Sequence, residues 1–284
     1  MAPFGPFFRE GAGVHTGERG SVRVFCGTGR SGIVFATARG ELVLGPESIA
    51  ADSRRATDLA RGAARVRTVE HLVAALAWFG VTDARIEVDG PEIPILDGSA
   101  APWVEALAAA GAVPGPVFVR IREPVRASIG GSAGEIAPLA PGESPVYSVA
   151  LDFGEAPIGN PAAAFRPLED DFASAIAPAR TFALLEEVEA LRALGLARGG
   201  NLDNALGIGG DGPLNPEGMR FPDEPARHKL LDAVGDLAIL GGLLWARVTL
   251  VRPSHALNHA LVAGAAALVE GGATYCSSSD LGLR

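Results

Sequence analysis

The sequence predicts an α+β protein built as two similar halves, each pairing a β-sheet with helices. Strand-like and helix-like segments occur together in both halves instead of segregating along the chain. A stretch rich in breakers, Gly111-Ala-Val-Pro-Gly-Pro116, separates the halves. At 284 residues the chain is long enough for two domains of ordinary size, and its aliphatic fraction fills a substantial core. The 37 glycines and 21 prolines are spread along the whole length, marking turns of a compact protein and not a disordered tract.

In chain order, Ser21–Cys26 and Arg85–Val88 alternate as strands do, whereas Val69–Phe79 and Pro102–Ala110 carry helical periodicity and end near Gly80 and Gly111. The expected boundary divides the chain into residues 1–114 and 115–284. Beyond it, Val117–Ile121 and Tyr147–Phe153 read as strands, followed by helices from about Leu184 to Leu194 and from Pro225 to Leu240. Strand Val248–Val251 and helix Ala256–Leu268 close the pattern. The halves match in content, with no clear sequence repeat between them.

A formal charge of -9, without a Lys/Arg cluster interleaved with aromatics, excludes nucleic acid as a partner. An anionic substrate stays compatible, since one or two cations placed inside a cleft outweigh net charge. Cys26 and Cys276 are far apart and lack metal-type spacing, so reduced core thiols are expected, not a disulfide or a thiolate site. The N-terminus has no basic segment followed by an apolar core, and the longest apolar run, Leu237–Ala246, is too short to cross a bilayer. A cytoplasmic monomer without stable membrane insertion is expected.

The five histidines are His15, His71, His228, His255 and His259. On the helix from Pro225, Leu230, Leu231, Val234, Leu237 and Ala238 share one arc, and His228, Asp232 and Asp236 lie along the opposite one. That polar arc is either a solvated face or, because His and Asp at i and i+4 stand one above the other, a pair of ligands for one metal ion. The helix at 69–79 opens with Thr68 as the expected N-cap and an apolar stripe of Val69, Leu72, Val73 and Leu76. Glu70 and His71 fall outside the stripe, as a ligand and general base or as the polar start of a partly exposed helix. Together His71, His228 and Asp232 make a His2Asp set with an open fourth position, the form expected of a catalytic metal.

At the level of motifs the chain resembles the UDP-3-O-acyl-N-acetylglucosamine deacetylases. The matching segments are GVHTG at 13–17, TVEHL at 68–72, EIPILDGS at 92–99, ARTF at 179–182, GGNLDN at 199–204, NPEG at 215–218, RHKLLDAVGD at 227–236 and SHALN at 254–258. They occur in family order over nearly the whole chain. The resemblance implies a four-layer β-α-α-β sandwich with the active site at the junction of the halves, Glu70 and His71 coming from the first and Thr181, His228, Asp232 and His255 from the second. It implies one Zn2+ per chain, replaceable by Fe2+, held by His71, His228 and Asp232, with Glu70 as general base. His255 is implied as general acid and oxyanion stabiliser, Asp236 as the holder of its imidazolium, and Thr181 as a hydroxyl bonding the oxyanion.

The implied substrate is a UDP-linked, acylated N-acetylglucosamine, an intermediate of lipid A synthesis, and a lipid substrate places the protein near the inner leaflet transiently. Lys229 resembles the family's phosphate-contacting lysine, and Phe182 an aromatic bordering sugar and nucleotide. Leu185, Val188 and Leu191 share a helix face where the family encloses the acyl chain; plain core packing is the competing reading. His15 is either a site-lining residue or a satisfied turn histidine, and His259 matches no motif and reads as structural or surface. One departure stands out: Arg252-Pro-Ser254 precedes His255 where the family has a basic residue and small residues ending in Gly. Arg252 keeps the charge for substrate, while Pro253 stiffens the loop. An amidase acting on another acylated amino sugar and a non-catalytic binder of a nucleotide-linked lipid remain alternatives.

Overall fold

The computed structural model describes residues 4–27, 32–154 and 158–270. The first half contributes β1 (Phe7–Ala12), β2 (Arg19–Cys26), β3 (Gly32–Thr37), β4 (Gly40–Val43) and β5 (Asp83–Asp89), hydrogen-bonded in the order β1-β2-β5-β3-β4. The second contributes β6 (Val125–Ile129), β7 (Ser132–Pro138), β8 (Val146–Ala150), β9 (Ala162–Phe165) and β10 (Ala246–Val251), in the order β6-β7-β10-β8-β9. The two sheets share one topology. Each is two successive hairpins with a late strand inserted between them, antiparallel to the first hairpin and parallel to the second.

Register makes the duplication visible in side chains. One inward row crosses the first sheet as Phe7, Val24, Ile86, Phe35 and Leu42, and one crosses the second as Val125, Ile136, Val248, Tyr147 and Phe165. All ten residues are buried, as period-2 alternation requires of a sheet with one face on the core. The outward face of the first sheet mixes apolar with charged side chains, and Arg85 pairs there with Glu41 and Glu87.

The helices are α1 (Glu70–Trp78), α2 (Ala101–Ala109), the single turn α3 (Phe172–Ala175), α4 (Leu185–Ala193), α5 (Glu224–Leu237) and α6 (His255–Ala265). Helix α1 packs on α5 and α2; α5 lies against β8 and β9, and α6 against β6 and β7. The layers therefore run sheet, helices, helices, sheet, with one continuous apolar core. All nine residues of α1 are buried, so the partly exposed helix start that sequence allowed is not what forms. Contact between α1 and α5 is close because Gly235 faces the first turn of α1: a Cβ there would lie 2.1 Å from the Glu70 carbonyl oxygen.

Several elements depart from expectation. Thr68 does not cap α1; Val69 holds that position without a side-chain bond, while Thr68 adopts φ +58° and donates its hydroxyl to Glu92 Oε1 at 2.8 Å. The strand expected at Val117–Ile121 shrinks to Phe118–Val119, paired with Leu243–Leu244, and the strand beginning near Tyr147 ends at Ala150. Cys26 is half-buried, and burial beside Asp83 pushes its thiol up to about 12, an unreactive thiol. Cys276 lies outside the described residues. Among the described residues no helix is long and apolar enough to cross a membrane.

The inward row of the second sheet carries one polar obligation. The Leu244 N–H donates to the Tyr147 hydroxyl oxygen at 2.7 Å, and both residues are fully buried. Tyr147→Phe leaves that N–H without a partner, and a loss of about 1–3 kcal/mol is expected in urea unfolding.

Candidate metal centre and active site

The α1–α5 contact brings the polar arcs of both helices together inside the protein. His71, the second residue of α1, faces His228 and Asp232, one turn apart on α5, with the ligating atoms of the three within 4.8 Å of one another. His71 Nε2 lies 3.6 Å and His228 Nε2 3.3 Å from Asp232 Oδ1. All three residues are buried, which removes the solvated-face reading of α5.

Hydrogen bonding decides what this group can hold. His228 Nδ1 donates to the Ala179 carbonyl at 3.0 Å, which leaves the Nε2 lone pair turned toward Asp232. Burial pushes His228 down to about 3, so no proton sits between that nitrogen and the carboxylate near neutrality. Burial opposes the charge of Asp232 too, yet the surrounding imidazoles and the Lys229 ammonium hold its carboxyl well below the usual range. Its Oδ2 accepts from Lys229 Nζ at 2.8 Å, whereas buried Oδ1 has no hydrogen-bond partner among the described residues. An orphaned carboxylate oxygen facing two imidazole nitrogens is costly alone and fits a divalent cation.

Two further side chains border this group. Glu70 Oε1 is 3.8 Å and Asp232 Oδ2 3.6 Å from His255 Nε2. Glu70 is anchored through Oε2, which accepts the Thr57 N–H at 3.0 Å, and burial raises its carboxyl to about 7. His255 opens α6 because the Ser254 side chain caps that helix, accepting from Leu257 N–H at 3.3 Å. The Pro253-Ser254 departure thus supplies a helix cap. His255 Nδ1 donates to Asp236 Oδ2 at 2.8 Å, an oxygen that also accepts from Asn258 Nδ2 at 2.9 Å. Burial works against a charged His255, but Asp236, Asp232 and Glu70 outweigh it and raise the imidazole to about 9.

Loops around the site are tied together by carboxylates that the sequence reading left unassigned. Glu92 accepts the His15 N–H at 3.0 Å, the Thr16 N–H at 2.8 Å, the Thr16 hydroxyl at 2.7 Å and the Thr68 hydroxyl. It joins three of the matching segments and holds Thr68 in a left-handed conformation costly for a β-branched residue. A Cβ at Gly13 would meet Glu92 Oε2 at 2.2 Å, so the loop closes on this carboxylate only with glycine there. Arg180 N–H and Nε both donate to Glu224 Oε1, at 3.0 and 2.9 Å, pinning the segment before Thr181 to the start of α5. Thr181 N–H donates to the Gly98 carbonyl at 2.7 Å.

A cavity of about 390 Å3 opens onto His71, His228 and Asp232 and is also lined by Glu70, His255, Thr181, Phe182, Lys229 and His15. Lys229 Nζ stands 5.6 Å from the centre of the Phe182 ring. Leu185, Val188 and Leu191 line the same cavity, and α4 buries none of its residues, so plain core packing does not describe them. Arg252 is not brought to His71, His228 and Asp232. It borders a second cavity, of about 540 Å3, that shares Phe182, Lys229 and His255 with the first, and its guanidinium donates to the Gly131 carbonyl at 2.7 Å. Thr57, Asn258, Glu92 and His259 escaped the sequence reading as site residues. Asn258 and Glu92 sit inside matching segments, a signal that could have found them, whereas Thr57 has neither motif nor periodicity around it.

Fold and site together define a duplicated α+β protein with a candidate metal centre between its central helices. The sequence profile of the family described as UDP-3-O-acyl N-acetylglycosamine deacetylase matches residues 5–267. A UDP-3-O-acyl-N-acetylglucosamine deacetylase from Anaeromyxobacter sp. (strain Fw109-5) is 41% identical over 263 residues, covering 89% of this chain and 83% of that protein. The proteins of the same description from Phenylobacterium zucineum and Trichormus variabilis are 41% and 40% identical, covering 92% and 87% of this chain and 91% of each relative. The chain belongs to the UDP-3-O-acyl-N-acetylglucosamine deacetylase family.

Proposed function

We propose that the chain hydrolyses the N-acetyl amide of UDP-3-O-(3-hydroxyacyl)-N-acetylglucosamine to the free amine and acetate, a step of lipid A biosynthesis. The observation that carries this reading is the unpartnered Asp232 Oδ1 facing His71 and His228, with Glu70 and His255 on the same cavity wall. His71, His228 and Asp232 would hold one Zn2+, which Fe2+ can replace in a donor set of this type. Such an ion supplies Lewis acidity, lowering the pKa of water from about 15.7 to about 7 and polarising a carbonyl.

The remaining chemistry belongs to the chain. Glu70, fixed by the Thr57 N–H, takes a proton from the attacking water. His255, charged near neutrality, stabilises negative charge on the amide oxygen and delivers a proton to the leaving nitrogen, while Asp236 keeps its ring oriented. Thr181 supplies a hydroxyl toward the oxyanion. Lys229 and Arg252 face the anionic nucleotide, Phe182 and His15 border the sugar, and Leu185 and Val188 with Leu191 enclose the acyl chain. The halves 1–114 and 115–284 each supply part of the set, and a cytoplasmic monomer, touching the inner leaflet only transiently, suffices because one chain carries every group.

Acetate release from the UDP-linked substrate by purified protein, before and after chelation and again with zinc restored, tests this. Activity is expected to vanish on chelation and return with zinc. Tight UDP-sugar binding without acetate release from metal-loaded protein would replace hydrolysis by binding alone.

A further inference from the structure

His259 is assigned no part in the reaction above, yet this half-buried residue ends a chain of hydrogen bonds that reaches His255. Thr57 Oγ1 stands among three groups: Asp236 Oδ1, to which it donates, His259 Nε2 at 2.7 Å and His255 Nδ1 at 3.4 Å. A threonine hydroxyl has one proton and two lone pairs. Thr57 and Asp236 are fully buried, and Asp236 is held ionised, because His255 outweighs the burial that opposes its charge. Turning the Thr57 proton toward His259 would set an oxygen lone pair against the carboxylate, an arrangement a buried anion disfavours strongly. The proton therefore goes to Asp236, and His259 Nε2 must be the donor to Thr57. Burial holds His259 below its ordinary value, so this is the neutral Nε2–H tautomer.

We propose that His259 is a positioning residue: its Nε2–H locks the Thr57 hydroxyl onto Asp236 Oδ1, leaving Oδ2 to hold His255 in the orientation of a proton donor. This rests on the hydrolytic reading of His255. Asp236, His255 and His259 also have the mutual spacing of a metal site, but the Thr57 hydroxyl lies among them and makes the three into a hydrogen-bonded relay. With a hydrophobic residue at 259 the hydroxyl still donates to Asp236, but the lone pair that His259 Nε2–H occupied is released and competes with Asp236 Oδ2 for the Nδ1–H of His255, 3.4 Å away.

The test is steady-state acetate release by zinc-loaded wild type, His259→Leu, His259→Gln, Thr57→Val and the Thr57→Val/His259→Leu double variant, with metal stoichiometry measured for each. His259→Leu is expected to lower kcat about tenfold, the rate equivalent of one net hydrogen bond, at unchanged KM and metal content. His259→Gln, whose amide N–H can reach Thr57, restores most of the rate, and His259→Leu costs nothing further once Thr57 is Val. Full kcat in His259→Leu, no rescue by Gln, or independent multiplying losses would overturn the relay. If the wild type itself releases no acetate, the hydrolytic reading falls separately, and long-range 15N–1H spectra of wild type judge the hydrogen-bond chain. A protonated Nε2 at His259 upholds that chain, and a protonated Nδ1 with bare Nε2 refutes it.

Discussion

Glu70→Gln is expected to release acetate about 10²–10⁴ times more slowly than wild type, the contribution of one positioned general base, while binding the same amount of zinc. The proposed metal donors are untouched, and the Gln side-chain oxygen can still accept the Thr57 N–H that anchors Glu70. The pH–rate profile separates this role from a structural one. Glu70 accepts a proton only when ionised, so the rate climbs with pH through the value of about 7 to which burial raises it, a limb that the charge of a bound divalent ion moves downward. His255 donates only when protonated, so the rate falls as pH passes about 9. The wild-type profile is a bell. Glu70→Gln loses the acid limb and keeps the alkaline one; a variant that retains both limbs would remove Glu70 from the role of base.

The parts of this architecture legible in sequence are those with a local period. Helices α1, α2, α4 and α5 lie within about three residues of where periodicity and glycine punctuation place them. His228, Asp232 and Asp236 read correctly as one face because i, i+4 spacing is a property of the helix itself. Insertion of β5 and β10 between pairs of hairpins was not legible, since strand order depends on partners far along the chain. The same limit explains Thr68. Its local sequence signals a cap, but a carboxylate 24 residues away claims the hydroxyl and draws the backbone into a left-handed turn. Thr57 reaches both Glu70 and Asp236 from outside the named helices, and the Asp236 contact spans 179 residues, a relation no spacing rule encodes. Glu92 and Arg180 lie within recognisable segments, yet what each ties together appears only when distant loops meet.

Gly235→Ala should both destabilise the protein and weaken its metal binding, although helix propensity alone predicts the opposite. Within a helix, Ala is favoured over Gly by about 0.8–1 kcal/mol. At position 235 the added Cβ would lie 2.1 Å from the Glu70 carbonyl oxygen and 2.8 Å from its carbon, both backbone atoms of α1 that no rotamer change can move. Relief requires α1 and α5 to separate, at an overpacking cost of about 1–3 kcal/mol. That separation is along the line that joins the proposed metal donors, because His71 follows Glu70 on α1 while Asp232 and His228 lie three and seven residues before Gly235, on the same face of α5. A weakening of zinc binding of about 10–100-fold in chelator competition is expected, together with a lower melting temperature for the metal-free protein. Gly210→Ala serves as the control, since a Cβ there meets nothing within 4 Å, and it should change neither quantity. Wild-type zinc affinity in Gly235→Ala would mean that the donor geometry is set by the loops around α1 and not by the contact of the two helices.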